Sequence, residues 1–197
     1  MGTLNTHAYF LRRSEGNVLF YNTDNDGDLE QIAELGGARF QLLSHRDESG
    51  PSLNRIRDRF GSKLCCSALE AAIIGKDAQV DVAFQVENRH LGDIDIIHTP
   101  GHTAGSICFF YTSPYGKSYL FTGDTIFQSG GKWATLAFPQ AGGSKASLAE
   151  SLLRLRNLNP DIVMSSAFVG DVSVVEVIGD EWAQAIDDNI SRLNEEA

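Results

Sequence analysis

Apolar and polar positions change period several times along this chain, and each change predicts an element. Thr6 to Leu11 and Asn17 to Tyr21 read as two strands of a hairpin turning at Glu15-Gly16. Leu29, Ile32 and Leu35 then recur at helical spacing, with Asp28 as the expected cap and Gly36-Gly37 as the stop. Phe40 to Leu43 predicts a buried strand ending at Ser44-His45. Leu53, Ile56 and Phe60 line one face of a second helix closed by Gly61. Lys63 to Cys66 predicts a short strand, Ala68 to Ile74 a short helix and Val80 to Val86 a half-buried strand.

The second half continues the alternation. Ile94 to His98, Ile107 to Thr112 and Tyr119 to Thr122 predict strands, the last two joined through Ser113-Pro114-Tyr115-Gly116. Gln128 to Gly143 mixes glycine and aromatic residues without a period and reads as a long functional loop. Ser147 is expected to open a helix with Leu148, Leu152 and Leu155 inward. Asp161 to Met164 predicts a strand, and Trp182, Ile186, Ile190 and Leu193 a terminal helix. Periodicity alone supports an α/β or α+β fold in one domain, residues 1–197.

Composition narrows the classes. The chain has 197 residues, enough to bury a core without disulfides. No apolar run approaches the ~20 residues of a membrane span, and no secretory signal opens the sequence. A net charge of −10 repels phosphate backbones, so nucleic acid is not an expected partner, nor is a membrane. Of three cysteines two are adjacent, Cys65 and Cys66, and on a strand neighbours face opposite ways. They read as buried apolar residues in a reducing, cytoplasmic setting.

Two strand-to-turn stretches carry the chemistry. Thr99-Pro100-Gly101-His102-Thr103-Ala104-Gly105-Ser106 presents His102, and Phe121-Thr122-Gly123-Asp124-Thr125 presents Asp124. This pair resembles the metallo-β-lactamase superfamily, the metal-dependent hydrolases that include glyoxalase II. The resemblance implies a four-layered αβ/βα sandwich of two mixed sheets with helices outside. The family usually carries one or two strands ahead of the first hairpin; none is read here, which suggests either a short N-terminus or strands trimmed from the chain.

The family's H-x-H-x-D-H motif falls on His45-Arg46-Asp47-Glu48-Ser49-Gly50, and its last histidine on Ala167. The resemblance places one ion on His45, Asp47, His102 and Asp124, all competent donors, although Asp47 stands where histidine is usual. The private positions of the second ion are Ser49, Gly50 and Ala167, which are poor ligands. One divalent ion is therefore expected, zinc or iron with manganese permitted, or none if the site is degenerate. His45 and Asp47 are expected on one face of a strand end. Two carboxylates weaken the ion as a Lewis acid, which points to an activated ester, thioester or lactone as the small-molecule substrate. Asp124 is the expected catalytic group, and Phe127, Lys132, Trp133 and Phe138 are candidates for the substrate pocket. The chain has no room for the helical glutathione-binding domain of glyoxalase II, and without a second ion β-lactamase activity is not expected. The alternative is an inactive protein of the same fold that binds a ligand or another protein. His98, His7 and His90 read as structural, and Ser106 and Thr125 as bonding their own turns.

Overall fold

In a computed structural model, which describes residues 3–86 and 90–195, the chain forms two compact units: His7–Asn88, and Met1–Thr6 with Arg89–Ala197. The chain begins with β1 (Leu4–Thr6), followed by the elements of the first unit. These are β2 (Tyr9–Leu11), β3 (Val18–Phe20), α1 (Asp26–Glu34), β4 (Phe40–Leu42), α2 (Ser52–Phe60), β5 (Lys63–Ser67), α3 (Ala68–Ile74) and β6 (Val82–Phe84). The second unit continues with β7 (His90–Leu91), β8 (Ile94–His98), β9 (Ile107–Thr112), β10 (Ser118–Gly123), β11 (Phe127–Ser129) and β12 (Lys132–Ala134). It ends with α4 (Lys145–Arg156), β13 (Ile162–Ser165), β14 (Ala167–Val169), β15 (Val174–Glu176) and α5 (Glu181–Glu195).

The first unit is one five-stranded sheet in the order β2-β3-β4-β5-β6. The hairpin β2–β3 is antiparallel and every later pairing is parallel. Parallel neighbours need crossovers, which α1, α2 and α3 supply. Leu29 and Ile32 of α1 and Ile56 of α2 pack on Leu19; Leu53 of α2 and Ile74 of α3 pack on Leu64 and Cys66. Cys65, on the opposite face, is equally buried. Burial, followed by Cys66 and Asp81, pushes the Cys65 thiol up to about 12. Burial and then Glu70 push Cys66 to about 12 as well. These thiols are inert packing groups, as their sequence context indicates. The helix cap differs from expectation. Asn25 accepts from Gly27 and Asp28 N–H, while the Asp28 carboxylate takes the Thr23 hydroxyl.

The second unit holds a six-stranded sheet, β15-β13-β10-β9-β8-β7, and a four-stranded sheet, β1-β14-β11-β12. Leu148, Leu152 and Leu155 of α4 bury with Trp182, Ile186 and Leu193 of α5 against Cys108, Leu120 and Val163. Trp182 donates to the Leu155 carbonyl at 2.9 Å, and Arg156 forks onto Asp187 at 2.7 and 2.8 Å. Three expectations are corrected here. A strand does precede the hairpin, because β1 pairs with β14. The glycine-rich stretch is not all loop, because β11 and β12 form a hairpin about Gly130-Gly131. Both glycines have positive φ, 59° and 78°, so a two-residue Gly-Gly turn was the missed signal. Finally, Ser144 rather than Ser147 caps α4, accepting from Ser147 N–H.

Candidate metal centre

His45 and Asp47 lie just beyond β4, but not on a strand end. The strand stops at Leu42 and residues Arg46–Glu48 coil into a 3₁₀ turn with His45 as its extended first residue. The turn brings Asp47 Oδ2 to 3.9 Å from His45 Nε2. The imidazole is buried, whereas the Asp47 side chain is 46% exposed. His45 Nδ1 is 2.9 Å from Ser44 Oγ and 3.3 Å from Glu48 Oε1. Asn22 holds the turn by donating to the Glu48 carbonyl at 2.9 Å. Beneath it Arg46 pairs with the fully buried Glu70.

His102 follows β8 in a turn locked on several sides. Thr99 N–H donates to Ser106 carbonyl, Thr103 N–H to Ser106 Oγ, and the hydroxyls of Thr99 and Thr125 meet at 3.3 Å. Ser106 thus bonds its own turn as expected, whereas the Thr125 hydroxyl reaches across to the His102 turn. Helix α4 braces the turn from outside. Ser151 donates to Pro100 carbonyl at 2.7 Å and Arg154 to His98 carbonyl at 2.8 Å. Gly101 is needed where it stands: φ is 150° and a Cβ would come within 2.4 Å of Leu148 Cα.

The former loop grips His102 itself. Leu136 carbonyl accepts from Nδ1 at 2.9 Å, and Phe138 N–H donates to the His102 carbonyl at 2.9 Å. Phe138 also stacks on the imidazole, with centroids 6.3 Å apart and planes 25° apart. A carbonyl can only accept, so Nδ1 carries the hydrogen and the lone pair of a neutral His102 is on Nε2. Nε2 lies 3.8 Å from Asp124 Oδ2. Asp124 follows an irregularity where β10 shifts register against β13 between Phe121 and Gly123. Its other oxygen, Oδ1, accepts the Ser166 hydroxyl.

Within each unit, then, a buried histidine faces a carboxylate, His45 with Asp47 and His102 with Asp124. Both Nε2 atoms are buried and make no hydrogen bond. Separations of 3.8 and 3.9 Å are too long for a shared proton, which needs about 2.7–3.2 Å. They are within about half an ångström of the spacing of two donors on one tetrahedral ion with bonds of about 2.0–2.2 Å. Each pair, taken by itself, has the donor types and spacing of two ligands to a divalent cation.

The remaining candidates separate. Phe127 and Lys132 share one face of the β11–β12 hairpin, whereas Trp133 lies on the other. There it meets Trp182 edge-on at 5.6 Å and packs on the core, so it serves as a core residue. Lys132 is exposed; Phe138 is the one that touches a proposed ligand. Of the second-ion positions, Ser49 donates its hydroxyl to Asp77 and Ala167 sits in β14 opposite Thr6. His90 pairs with Asp95 at 2.7 Å and His7 meets Tyr9 edge-on. Leu136, Glu48 and Ser166 escaped sequence reading, since no local period marks them.

The sequence profile of the metallo-β-lactamase superfamily matches residues 30–166. The chain belongs to that superfamily. It is 35% identical over 86 residues to a hydroxyacylglutathione hydrolase of Pseudomonas putida, covering 44% of this chain and 32% of that protein. The match thus spans about a third of that enzyme's length. Among solved structures it resembles a metallo-β-lactamase of Cronobacter sakazakii with a HARLDQ motif, at TM-score 0.70 and 17% identity over 98% of this chain and 82% of that one. It also resembles TTHA1623 in a di-iron-bound form, at TM-score 0.68 and 21% identity over 89% and 92%. These likenesses show the fold, the αβ/βα sandwich expected from the two turns. Among the described residues no helix is long and apolar enough to cross a membrane.

Proposed function

We propose that this chain is a metal-dependent hydrolase using one divalent ion, held by His45, Asp47, His102 and Asp124, on an activated ester, thioester or lactone. The observation that carries the reading is the paired geometry. Each buried imidazole has Nδ1 engaged and Nε2 turned toward a carboxylate, the arrangement by which proteins orient histidine ligands. A bound divalent ion supplies Lewis acidity at an acyl carbonyl and lowers the pKa of water. The chain's own groups do the rest. Ser166 fixes Asp124 by Oδ1 and leaves Oδ2 toward His102 as the ligand atom, so that Asp124 would position the attacking water. Phe138 stacks on His102 and helps to hold the plane of its ring.

A single ion is favoured because Ser49 is engaged with Asp77 and Gly50 and Ala167 offer no donor. Two anionic donors offset the ion's charge, so the acyl group must carry a good leaving group. The Pseudomonas putida relative is named for a hydroxyacyl group on glutathione, which falls in that class. The di-iron form of TTHA1623 makes iron a candidate beside zinc and manganese.

Elemental analysis of protein purified without chelators or added metal tests the reading. We expect at most one transition-metal ion per chain. His102→Ala should lose that ion, and with it thioester and lactone hydrolysis, while circular dichroism stays that of the folded protein. Two tightly held ions would overturn the single-ion site. Metal-free protein inert toward every acyl substrate would leave the inactive binding module as the function.

A further inference from the structure

Glu48 sits at an unspecified position of the H-x-H-x-D-H motif, yet it is nearly buried, with 7% of its side chain exposed. Its carboxylate turns back on the start of its own turn. One oxygen, Oε2, accepts the Ser44 N–H at 2.7 Å, and the other, Oε1, accepts the Ser44 hydroxyl. A hydroxyl has one hydrogen to give. With that hydrogen on Glu48, Ser44 Oγ meets His45 Nδ1, 2.9 Å away, as an acceptor. Glu48 Oε1, 3.3 Å from the same nitrogen, is also an acceptor only. Each of these two acceptors calls for a hydrogen on Nδ1. A neutral imidazole protonated at Nδ1 has its lone pair on Nε2, the atom that faces Asp47.

We propose that Glu48 is a positioning residue which, directly and through Ser44, sets the tautomer of His45 and keeps the Nε2 lone pair available to a divalent ion. The hydrogen-bond order stands on the geometry alone; its consequence for metal rests on the proposed role of His45 as a ligand. His102 achieves the same end with the Leu136 carbonyl. A carboxylate differs from a carbonyl in also making the imidazole a stronger donor to a cation.

Glu48→Gln is the informative change. It keeps the shape but introduces an amide N–H₂ that donates to Ser44 Oγ, which frees the hydroxyl hydrogen to turn toward Nδ1. The relay then runs backward and the hydrogen moves to Nε2. Long-range ¹H–¹⁵N spectra of the metal-free full chain, above the ordinary histidine pKa of about 6.5, read the tautomer without reference to activity. The His45 signal is assigned with a His45→Asn variant. Wild type should show Nδ1–H, and Glu48→Gln should show Nε2–H. Ser44→Ala should retain Nδ1–H, because Glu48 Oε1 remains in reach. Zinc affinity, measured by competition with a chromophoric chelator, should fall roughly 10–100-fold in Glu48→Gln. Ser44→Ala should bind zinc more weakly than wild type but more tightly than Glu48→Gln, because only the longer contact of Glu48 Oε1 with Nδ1 remains. A wild type with Nε2–H overturns the proposal, even where Glu48→Gln fails to fold; so does an unchanged tautomer in a folded Glu48→Gln. Reversal of the tautomer with unchanged zinc affinity upholds the relay and instead removes His45 from the ligand set.

Discussion

At the scale of the residue, Asp47 is the position where this chain departs from its superfamily while keeping a donor. Its carboxylate lies 3.9 Å from His45 Nε2 and is nearly half exposed, so the contact tolerates a larger side chain. Asp47→His replaces an anionic donor with a neutral, softer one. The ion's effective charge then rises, and imidazole favours zinc over manganese. The ratio of zinc to manganese affinity should increase, and the limb of the pH–rate profile that reports ionisation at the site should move to lower pH. If Asp47 is only a surface residue, the change is worth under about 0.5 kcal/mol and moves neither quantity. Titrating the metal-free variant with each ion distinguishes the two.

At the scale of the element, the segment from Leu136 to Gly143 fixes His102. Its grip depends on a close approach of two backbones. A Cβ on Gly143 would stand 2.1 Å from the His102 carbonyl oxygen and 2.3 Å from that of Gly101. Neither oxygen belongs to a flexible side chain, so the segments must separate. Gly143→Ala is expected to cost about 1–3 kcal/mol of stability, the range for forced overpacking. It should also loosen the Leu136 bond to Nδ1, so metal affinity falls together with the melting temperature. Calorimetry with and without metal should show a smaller metal-induced stabilisation in the variant than in wild type. An equal stabilisation would mean that the segment does not position His102.

At the scale of the whole molecule, stability responds to pH through carboxylates bonded within the fold. Asp81 is the best placed of these. Burial raises its pKa, but the Arg57 hydrogen bond and the Leu64 N–H at 2.8 Å outweigh burial and hold it below the ordinary carboxylate range. A carboxylate whose pKa is depressed on folding contributes stability that is complete above its unfolded value of about 3.9. That contribution disappears as pH falls through the lower folded value. Asp81→Asn should therefore lower stability by about 1 kcal/mol near neutral pH and by progressively less toward acid. Urea unfolding at a series of pH values checks the sign; a deficit that grows in acid would contradict it. The net charge of −10 acts at this scale too. It supports the proposal of a small-molecule substrate rather than a nucleic acid, since phosphate backbones are repelled.

Much of this was legible in the order of residues. Helical spacing located Leu29 with Ile32, Leu53 with Ile56, and Leu148 with Leu152, because a periodic apolar face is a local property. Glycine and proline turns marked where His102 and Asp124 leave their strands, because those backbone angles are also local. Gly130-Gly131 carried the β11–β12 hairpin in the same way, and it was overlooked among the aromatic residues around it. What the chain order does not contain is the environment of each donor. Leu136 reaches His102 across 34 positions and Ser166 reaches Asp124 across 42, and no sequence period spans such distances. Nor does alternation reveal that Asp47 lies in a 3₁₀ turn rather than on a strand, or that Trp133 turns to Trp182. Candidate donors follow from residue type and turn chemistry. Which nitrogen carries a hydrogen, and which oxygen faces it, is decided only when remote segments pack and every buried polar atom must find its place.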